Sequence, residues 1–394
     1  MKILLLNTTD VYGGAGIATH RVYKELKKMG VDIDYKVMMK FSENKDISGK
    51  SGRIGYFLGG LRFIIDRIPS YLTFKGKKYS SNWFPTNISK MINNSDYDIV
   101  HLNWINGGFI SIKDIGKIRK PLVWTLHDMW PFTGGLHYSQ KNFNYSQDFV
   151  SRWIWKRKNK FWKNLKIIYV APSNWIANCA KQSKLFRNAK SFVIPNGINK
   201  QEFYSEDKLL ARKELNLPLN KKLVLFGADN VSDKRKGMHY LLRSLKFIKN
   251  NSAELITFGS GYLVETKNKV HSFGKINDIN LLRKLYSAAD VFVGPSLLEV
   301  FGQTFIESLA CGTPIVAFDN SGPNDIIIHK KNGYLAKLKN VKDLAKGINW
   351  ALDNGAELRE NCILSSKKFE IEKVAKELKK VYMFAHKNNA GEKN

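Results

Sequence analysis

Two hydrophobic patterns alternate along this chain. Short, nearly continuous apolar runs are separated by longer stretches in which apolar residues recur every three or four positions. The runs at 2–7 (KILLLN), 34–40 (DYKVMMK), 98–104 (DIVHLNW), 121–127 (PLVWTLH), 167–172 (IIYVAP) and 191–197 (SFVIPNG) predict strands in the first half. Those at 222–228 (KLVLFGA), 254–258 (ELITF), 270–273 (VHSF), 291–295 (VFVGP) and 314–318 (PIVAF) do so in the second. Helical periodicity falls between them, for example at 15–29, 237–249, 279–288 and 303–311, and a final Lys/Glu amphipathic stretch covers roughly 370–386. Apolar strands alternating with amphipathic helices predict parallel sheets covered on both faces. Two such series predict an α/β chain of two doubly wound, Rossmann-like domains facing across a cleft. The expected boundaries are 1–197, 198–370, and a C-terminal segment 371–394 that packs back on the first domain and ends in a polar tail.

The length of 394 residues agrees with two cores rather than one. The opening "MKILLLNTTD" reads as a first strand, not a signal peptide, and no apolar run approaches the ~20 residues of a membrane span. Cys179, Cys311 and Cys362 are scattered and form no CxxC, which points away from disulfide or zinc frameworks and towards a reducing cytoplasm. The unusual quantity is charge: 64 Lys plus Arg against 34 Asp plus Glu, a net +30. That excess favours a polyanion, either nucleic acid or an anionic membrane surface, or reflects only solvated lysine faces. Two stretches interleave cations with aromatics: 53–84 (RIGYFLGGLRFIIDRIPSYLTFKGKKYSSNWF) and 151–166 (SRWIWKRKNKFWKNLK). This mixture suits a lipid headgroup interface, single-stranded nucleic acid, or helix faces packed on the core.

In doubly wound sheets ligands bind beyond the carboxyl ends of the strands, so polar residues just after each strand are the candidates. After 222–228 come Lys234, Arg235 and Lys236 ahead of a helix, a good phosphate site or an exposed basic turn. Gly259, Ser260 and Gly261 follow the next strand, where Gly259 would let a ligand approach the backbone. After 291–295 the run "EVFGQTFIE" carries two acids, Glu299 and Glu307, in an otherwise apolar segment. An unpaired buried carboxylate is costly. Glu299 in the loop would face the reacting group, while Glu307, one turn into a helix that begins near Gly302, Gln303 and Thr304, could accept protons from paired hydroxyls. In the first half Gly13, Gly14 and Gly16 form a loop before a helix, without the GxGxxG spacing of a dinucleotide fingerprint. His127 ends a strand and would point into the cleft. Trp130, Gly134, His137 and Tyr138 in "DMWPFTGGLHY", with Asn106 and Gly107 after the preceding strand, read as an acceptor side.

These motifs together resemble the retaining GT-B glycosyltransferases of family 4. The resemblance rests on the Glu-seven-Glu spacing of "EVFGQTFIE", on "SLACGTPIVAFDNSGPNDII", "NGYLA", "IPNGIN" and "RKGMHYLL", and on "HLNWINGGFISI" with "PLVWTLHDMWPFTGGLHY" in the first half. The latter is similar to members that build capsule, O-antigen and exopolysaccharide. The resemblance implies a nucleotide-diphosphate sugar as donor, UDP first and GDP second, and a glycan or lipid-linked acceptor. It implies no metal or other cofactor, and a cytoplasmic enzyme lying on the anionic inner face of the membrane, with no nucleic-acid partner. By this resemblance Glu307 holds the nucleotide ribose, Glu299 and His127 contact the donor sugar, and Phe301 to Thr304 offer backbone amides. Lys236 neutralises the diphosphate. The family's second cation, an Arg after the first strand of this domain, is replaced here by Ala228, Asp229 and Asn230, which leaves Arg235 for that role. The loop of Gly13, Gly14 and Gly16 approaches donor phosphates and acceptor. The cysteines many relatives carry after "GGLHY" are absent from "SQKNFNYSQDFVSRW". A sugar-nucleotide epimerase of the same fold and a basic nucleic-acid-binding protein are the competing readings.

Overall fold

The computed structural model describes residues 1–71, 79–139, 148–249, 253–262 and 266–390. Part of the aromatic-basic stretch 53–84, part of the cysteine-free stretch after Tyr138, and the last residues of the polar tail lie outside the described residues. The chain divides into two units, one formed by Met1–Pro195 with Val374–Asn394 and the other by Asn196–Lys373.

The first unit is built on seven strands: β1 (Ile3–Thr9), β2 (Ile33–Met39), β3 (Ile47–Lys50), β4 (Ile99–Leu102), β5 (Leu122–Thr125), β6 (Ile167–Ala171) and β7 (Lys190–Val193). They lie in the order β3-β2-β1-β4-β5-β6-β7, every neighbouring pair parallel. β1 is buried along its whole length, as expected of a strand covered on both faces. The C-terminal helix Ile371–Ala390 contributes Val374, Leu378 and Tyr382 to the same core as Ile3, Leu5 and Val123. Tyr382 and His101 are hydrogen-bonded at 2.7 Å, and Thr125 bonds the other ring nitrogen of His101 at 2.8 Å. Burial pushes His101 down to about 3, so this ring is neutral in the folded protein.

Helix Phe149–Trp162 turns Val150, Ser151, Ile154, Lys158 and Trp162 inward. The stretch 151–166 therefore buries one face in the core instead of presenting all its aromatics to a surface. Lys158 is wholly buried, with its ammonium 3.6 Å from the Trp130 ring centre and bonded to the carbonyls of Trp130 and Thr133. Burial pushes this amine well below the ordinary lysine range.

The second unit holds six parallel strands: β8 (Lys222–Asn230), β9 (Ala253–Ser260), β10 (Val270–Ser272), β11 (Val291–Gly294), β12 (Ile315–Phe318) and β13 (Gly333–Ala336). Their order is β10-β9-β8-β11-β12-β13. Along β8, Leu223 and Leu225 enter one apolar cluster with Ile306 and Leu309, while Val224 and Phe226 enter another with Leu344 and Ile348. That period of two, apolar on both faces, is the packing its sequence predicts.

Candidate active site

In the second unit the strand order turns at β8, which has β9 on one side and β11 on the other. The chain leaving β8 and the chain leaving β11 thus diverge at the carboxyl edge, the place where open parallel sheets bind ligands. The loop after β8 makes a 3-10 turn, Lys234–Lys236, whose start is capped by Asp233: its Oδ1 accepts from the Arg235 amide at 2.9 Å. Gly237 follows at φ +79°, and a Cβ there would lie 1.9 Å from the Pro295 carbonyl oxygen. Only glycine lets this turn press on the end of β11. The two loops are then joined: Leu297 N–H donates to the Arg235 carbonyl at 2.8 Å, and Arg235 Nη1 donates to the Leu298 carbonyl at 2.8 Å.

Glu299 sits where these loops meet. Its carboxylate, 12% exposed, receives Lys236 Nζ at 2.5 Å and lies 3.7 Å from Arg235 Nη1. Its amide donates to Ser321 Oγ at 3.2 Å, and its carbonyl accepts from Gly322 N–H at 2.9 Å, so the loop after β12 also converges on it. Burial by itself would raise the Glu299 carboxyl, but the Lys236 and Arg235 charges outweigh it and hold the group below its ordinary range. Arg235 also pairs with Asp233 at 3.2 Å, and Lys234 stands exposed beside them.

Gly302, at φ +105°, opens helix Gln303–Ala310, whose first turn has no capping side chain. Gln303 and Thr304 are half-buried there, with their amides at the positive end of the helix. Phe301 is buried with its ring against Phe369, so only its backbone can serve a ligand. Glu307 is 4% exposed and accepts from the Tyr286 hydroxyl at 3.0 Å. Gly259 has a packing reason for being glycine: at φ +127°, a Cβ would lie 1.8 Å from the Ala228 carbonyl oxygen. Lys236, Arg235 and Glu299 are brought together directly. Glu307 and Gly259 lie in contacts of their own.

The corresponding edge of the first unit gathers His127, after β5, with the loop after β4. His127 Nε2 donates to Asn103 Oδ1 at 3.0 Å, which leaves Nδ1 as the acceptor of a ring that burial pushes down to about 4. Among the described residues the Asn103 amide nitrogen and the Asn106 amide oxygen are buried without a hydrogen-bond partner. Such orphaned groups are uncommon and call for an explanation. Asp128 organises the next loop. Its Oδ2 accepts from Trp104 Nε1 at 2.7 Å and meets His137 Nδ1 at 2.6 Å, while Oδ1 accepts from the Trp130 amide at 2.9 Å. His137 Nε2 bonds Ser80 Oγ at 2.8 Å. Gly13 and Gly14 face open space, whereas Gly16 brings its helix close to Thr9.

One expectation on this side is corrected, and two glycines have packing reasons. Trp130 is wholly buried between Trp124 and Trp162, and its indole N–H donates to the Ser80 carbonyl at 2.6 Å. It therefore supports this loop from beneath and offers no surface. Gly107 and Gly134 are glycines because neighbours fill the Cβ position: Phe63 at 2.2 Å and Ser151 Oγ at 2.2 Å. Tyr138 is half-buried. The sequence reading overlooked Asn103 and Ser321 and assigned Asp128 no role. Their only signal was a polar residue within three positions of a strand's end. Among the described residues no three His, Cys, Asp or Glu side chains gather as a metal site.

The fold and this placement of polar residues beyond strand ends define a GT-B transferase architecture, and solved structures share it. The Anabaena protein HepE, crystallised with UDP-glucose, superposes with a TM-score of 0.68 at 18% identity over 97% of this chain and 99% of its own. Two family profiles match: Glycosyltransferase Family 4 over residues 12–202 and Glycosyl transferases group 1 over residues 207–369. Among curated relatives, the alpha-monoglucosyldiacylglycerol synthase of Streptococcus pneumoniae is 25% identical over 100% of this chain and 88% of its own. The capsular polysaccharide biosynthesis glycosyltransferase CapM of Staphylococcus aureus is 29% identical over 47% and 50%. The chain belongs to the family 4 glycosyltransferases.

Proposed function

We propose that this glycosyltransferase moves a sugar, with retention, from a nucleotide-diphosphate sugar to a glycan or lipid-linked acceptor in the assembly of bacterial surface polysaccharide. UDP is the first choice of nucleotide and GDP the second. The observation that carries the reading is the meeting of Lys236 and Arg235 on Glu299 where the strand order turns, beside the uncapped start of helix Gln303–Ala310. A diphosphate brought there competes with Glu299 for Lys236 and lies at the positive end of the helix dipole. As the glycosidic bond breaks, negative charge grows on the leaving diphosphate, and the two cations stabilise it. Lys236 and Arg235 thereby supply what a metal would, so transfer proceeds without one. Glu307 accepts the ribose hydroxyls, and Tyr286 is its fixed internal donor. Glu299 contacts the donor sugar.

The acceptor hydroxyl attacks on the face the leaving group vacates, and a diphosphate oxygen takes its proton. The Asn103 amide nitrogen and the Asn106 amide oxygen, without partners among the described residues, suit sugar hydroxyls on the acceptor side. HepE with bound UDP-glucose supports the choice of UDP, the diacylglycerol glycolipid synthase a lipid acceptor, and CapM the polysaccharide role. Among the described residues no helix is long and apolar enough to cross a membrane. The enzyme works on the cytoplasmic side, with its cationic surface against anionic lipid. The test is transfer from UDP-glucose and other UDP-sugars to membrane extracts, with and without EDTA, and the anomeric coupling constant of the product. Retained configuration that survives EDTA supports the reading. Inverted product or loss of transfer with EDTA overturns its mechanism.

A further inference from the structure

Helix Gly52–Tyr71 turns two glycines inward and a row of large apolar residues outward. Gly55, Gly59 and Asp66 are its buried positions. Ile54 is 76% exposed, Phe57 70% and Ile64 60%, and Leu61, Ile68 and Tyr71 are exposed with them. These six alternate three and four residues apart and so form one stripe along the helix. The orientation is locked by the glycines. A Cβ on Gly59 would lie 2.3 Å from Met39 Sδ, and one on Gly55 2.7 Å from the Lys50 carbonyl carbon. The helix cannot roll to bury the stripe without driving side chains into its own support. The stripe also continues sideways: Tyr56 stacks on Phe41 at 4.9 Å and Phe41 on Tyr12 at 5.6 Å, all three exposed.

Charge selects the occupant. The helix has one acid, Asp66, and it is buried, with Oδ1 accepting from Asn82 N–H at 2.5 Å and Ser81 Oγ at 3.1 Å. Its exposed ionic groups are Arg53 and Arg67, preceded by exposed Lys50, and no exposed carboxylate lies on the helix. A second copy of this chain would set these cations against their own equivalents. A nucleic acid would take the cations and leave the aliphatic stripe in water. An anionic bilayer takes both, the stripe at the acyl boundary and the arginines among headgroups. We propose that helix Gly52–Tyr71 lies in the surface of an anionic bilayer, and that this helix, not the stretch 151–166, is the membrane contact.

The same helix supports the acceptor loop. Phe63 fills the space over Gly107 and stacks on Trp104 at 6.4 Å, and Arg62 Nη1 donates to the Gly108 carbonyl at 3.1 Å. Docking this helix therefore brings the loop that holds Asn103 and Asn106 to the lipid surface, within reach of an acceptor carried on a lipid. This consequence rests on the proposed transfer reaction; the docking surface does not.

The test is co-sedimentation of the whole protein with vesicles of equal parts phosphatidylglycerol and phosphatidylcholine, and with phosphatidylcholine alone, alongside the thermal shift with UDP-glucose. Wild type should bind the anionic vesicles more tightly. The double variant Phe57→Ser/Ile64→Ser should bind them about tenfold or more weaker, since two exposed anchors are lost. The Phe57→Trp variant should show blue-shifted emission on binding, quenched by brominated lipid. Undiminished binding by the double variant would overturn the proposal, as would unshifted emission from the bound tryptophan variant. A solution dimer dispersed by the same double variant would overturn it in favour of a second copy. Preference for single-stranded RNA over vesicles would overturn it in favour of nucleic acid. If vesicle binding follows the stripe while no sugar nucleotide shifts the melting point, the transfer reading fails and the docking surface stands.

Discussion

Replacing Lys236 with alanine leaves Glu299 as a carboxylate that is 12% exposed and, among the described residues, paired with Arg235 alone, 3.7 Å away. Breaking a buried pair from one side costs roughly 3–5 kcal/mol. Lys236 is itself 24% exposed and Arg235 remains, so the expected loss is about 2 kcal/mol. At roughly 2–4 °C per kcal/mol for a unit of this size, melting of the second unit should fall by about 4–8 °C. The sign with pH follows from the direction of the shift. The folded Glu299 carboxyl is held below its ordinary range, so its pairing stabilises the protein above the unfolded value of about 4.3 and is lost as pH falls through the folded value. The Lys236→Ala deficit should therefore be full at pH 7 and shrink towards pH 4. Urea denaturation at both pH values, with the double variant Lys236→Ala/Glu299→Gln, completes the cycle. The double variant should regain most of the loss, because no charge is then stranded. An equal deficit at both pH values, or strict additivity of the two changes, would refute the reasoning.

Other outcomes follow from single contacts. Gly237→Ala should destabilise the second unit well beyond the roughly 1 kcal/mol expected for Gly30→Ala, because both have positive φ but only Gly237 faces a carbonyl oxygen, at 1.9 Å; thermal denaturation of the two variants compares them directly. Tyr286→Phe removes the hydroxyl that serves Glu307 at 3.0 Å and should cost about 1–3 kcal/mol by chemical denaturation, with weaker nucleotide binding by calorimetry. Burial pushes His101 to about 3 and His127 to about 4, so the unfolded chain takes up protons first as pH falls below the ordinary histidine range. Stability should then drop by about 1.4 kcal/mol per pH unit for each histidine between roughly pH 6 and 4, and His101→Asn should remove one such increment from the measured slope.

Most of the fold was legible because buried parallel strands write themselves as apolar runs. The exceptions have physical causes. β3 is an edge strand in which only Ile47 is buried, so "ISGK" carries no alternation to read. β13 is four residues long and begins with glycine, and "NGYLA" was visible as a family motif without being read as a strand. The candidate site was legible where residues follow strand ends, as Lys236, Glu299 and His127 do. Partners contributed from elsewhere were not: Tyr286 lies on a different helix from Glu307, and no local pattern announces the pair. Trp130 shows the opposite failure, since an aromatic in a post-strand loop reads alike whether it faces a ligand or the core. In 53–84 the composition pointed to an interface, but the outward stripe became clear only from the glycines beneath it.

The proposed sugar-nucleotide site is built on Lys236, Arg235, Glu299 and Glu307. Its most direct test is the thermal shift of wild type, Lys236→Ala and Glu307→Ala with a panel of UDP-, GDP-, ADP- and TDP-sugars, each with EDTA present. One nucleotide class, UDP first, should stabilise the wild type and neither variant. Failure of every donor to shift the wild type, or an undiminished shift in both variants, would contradict it.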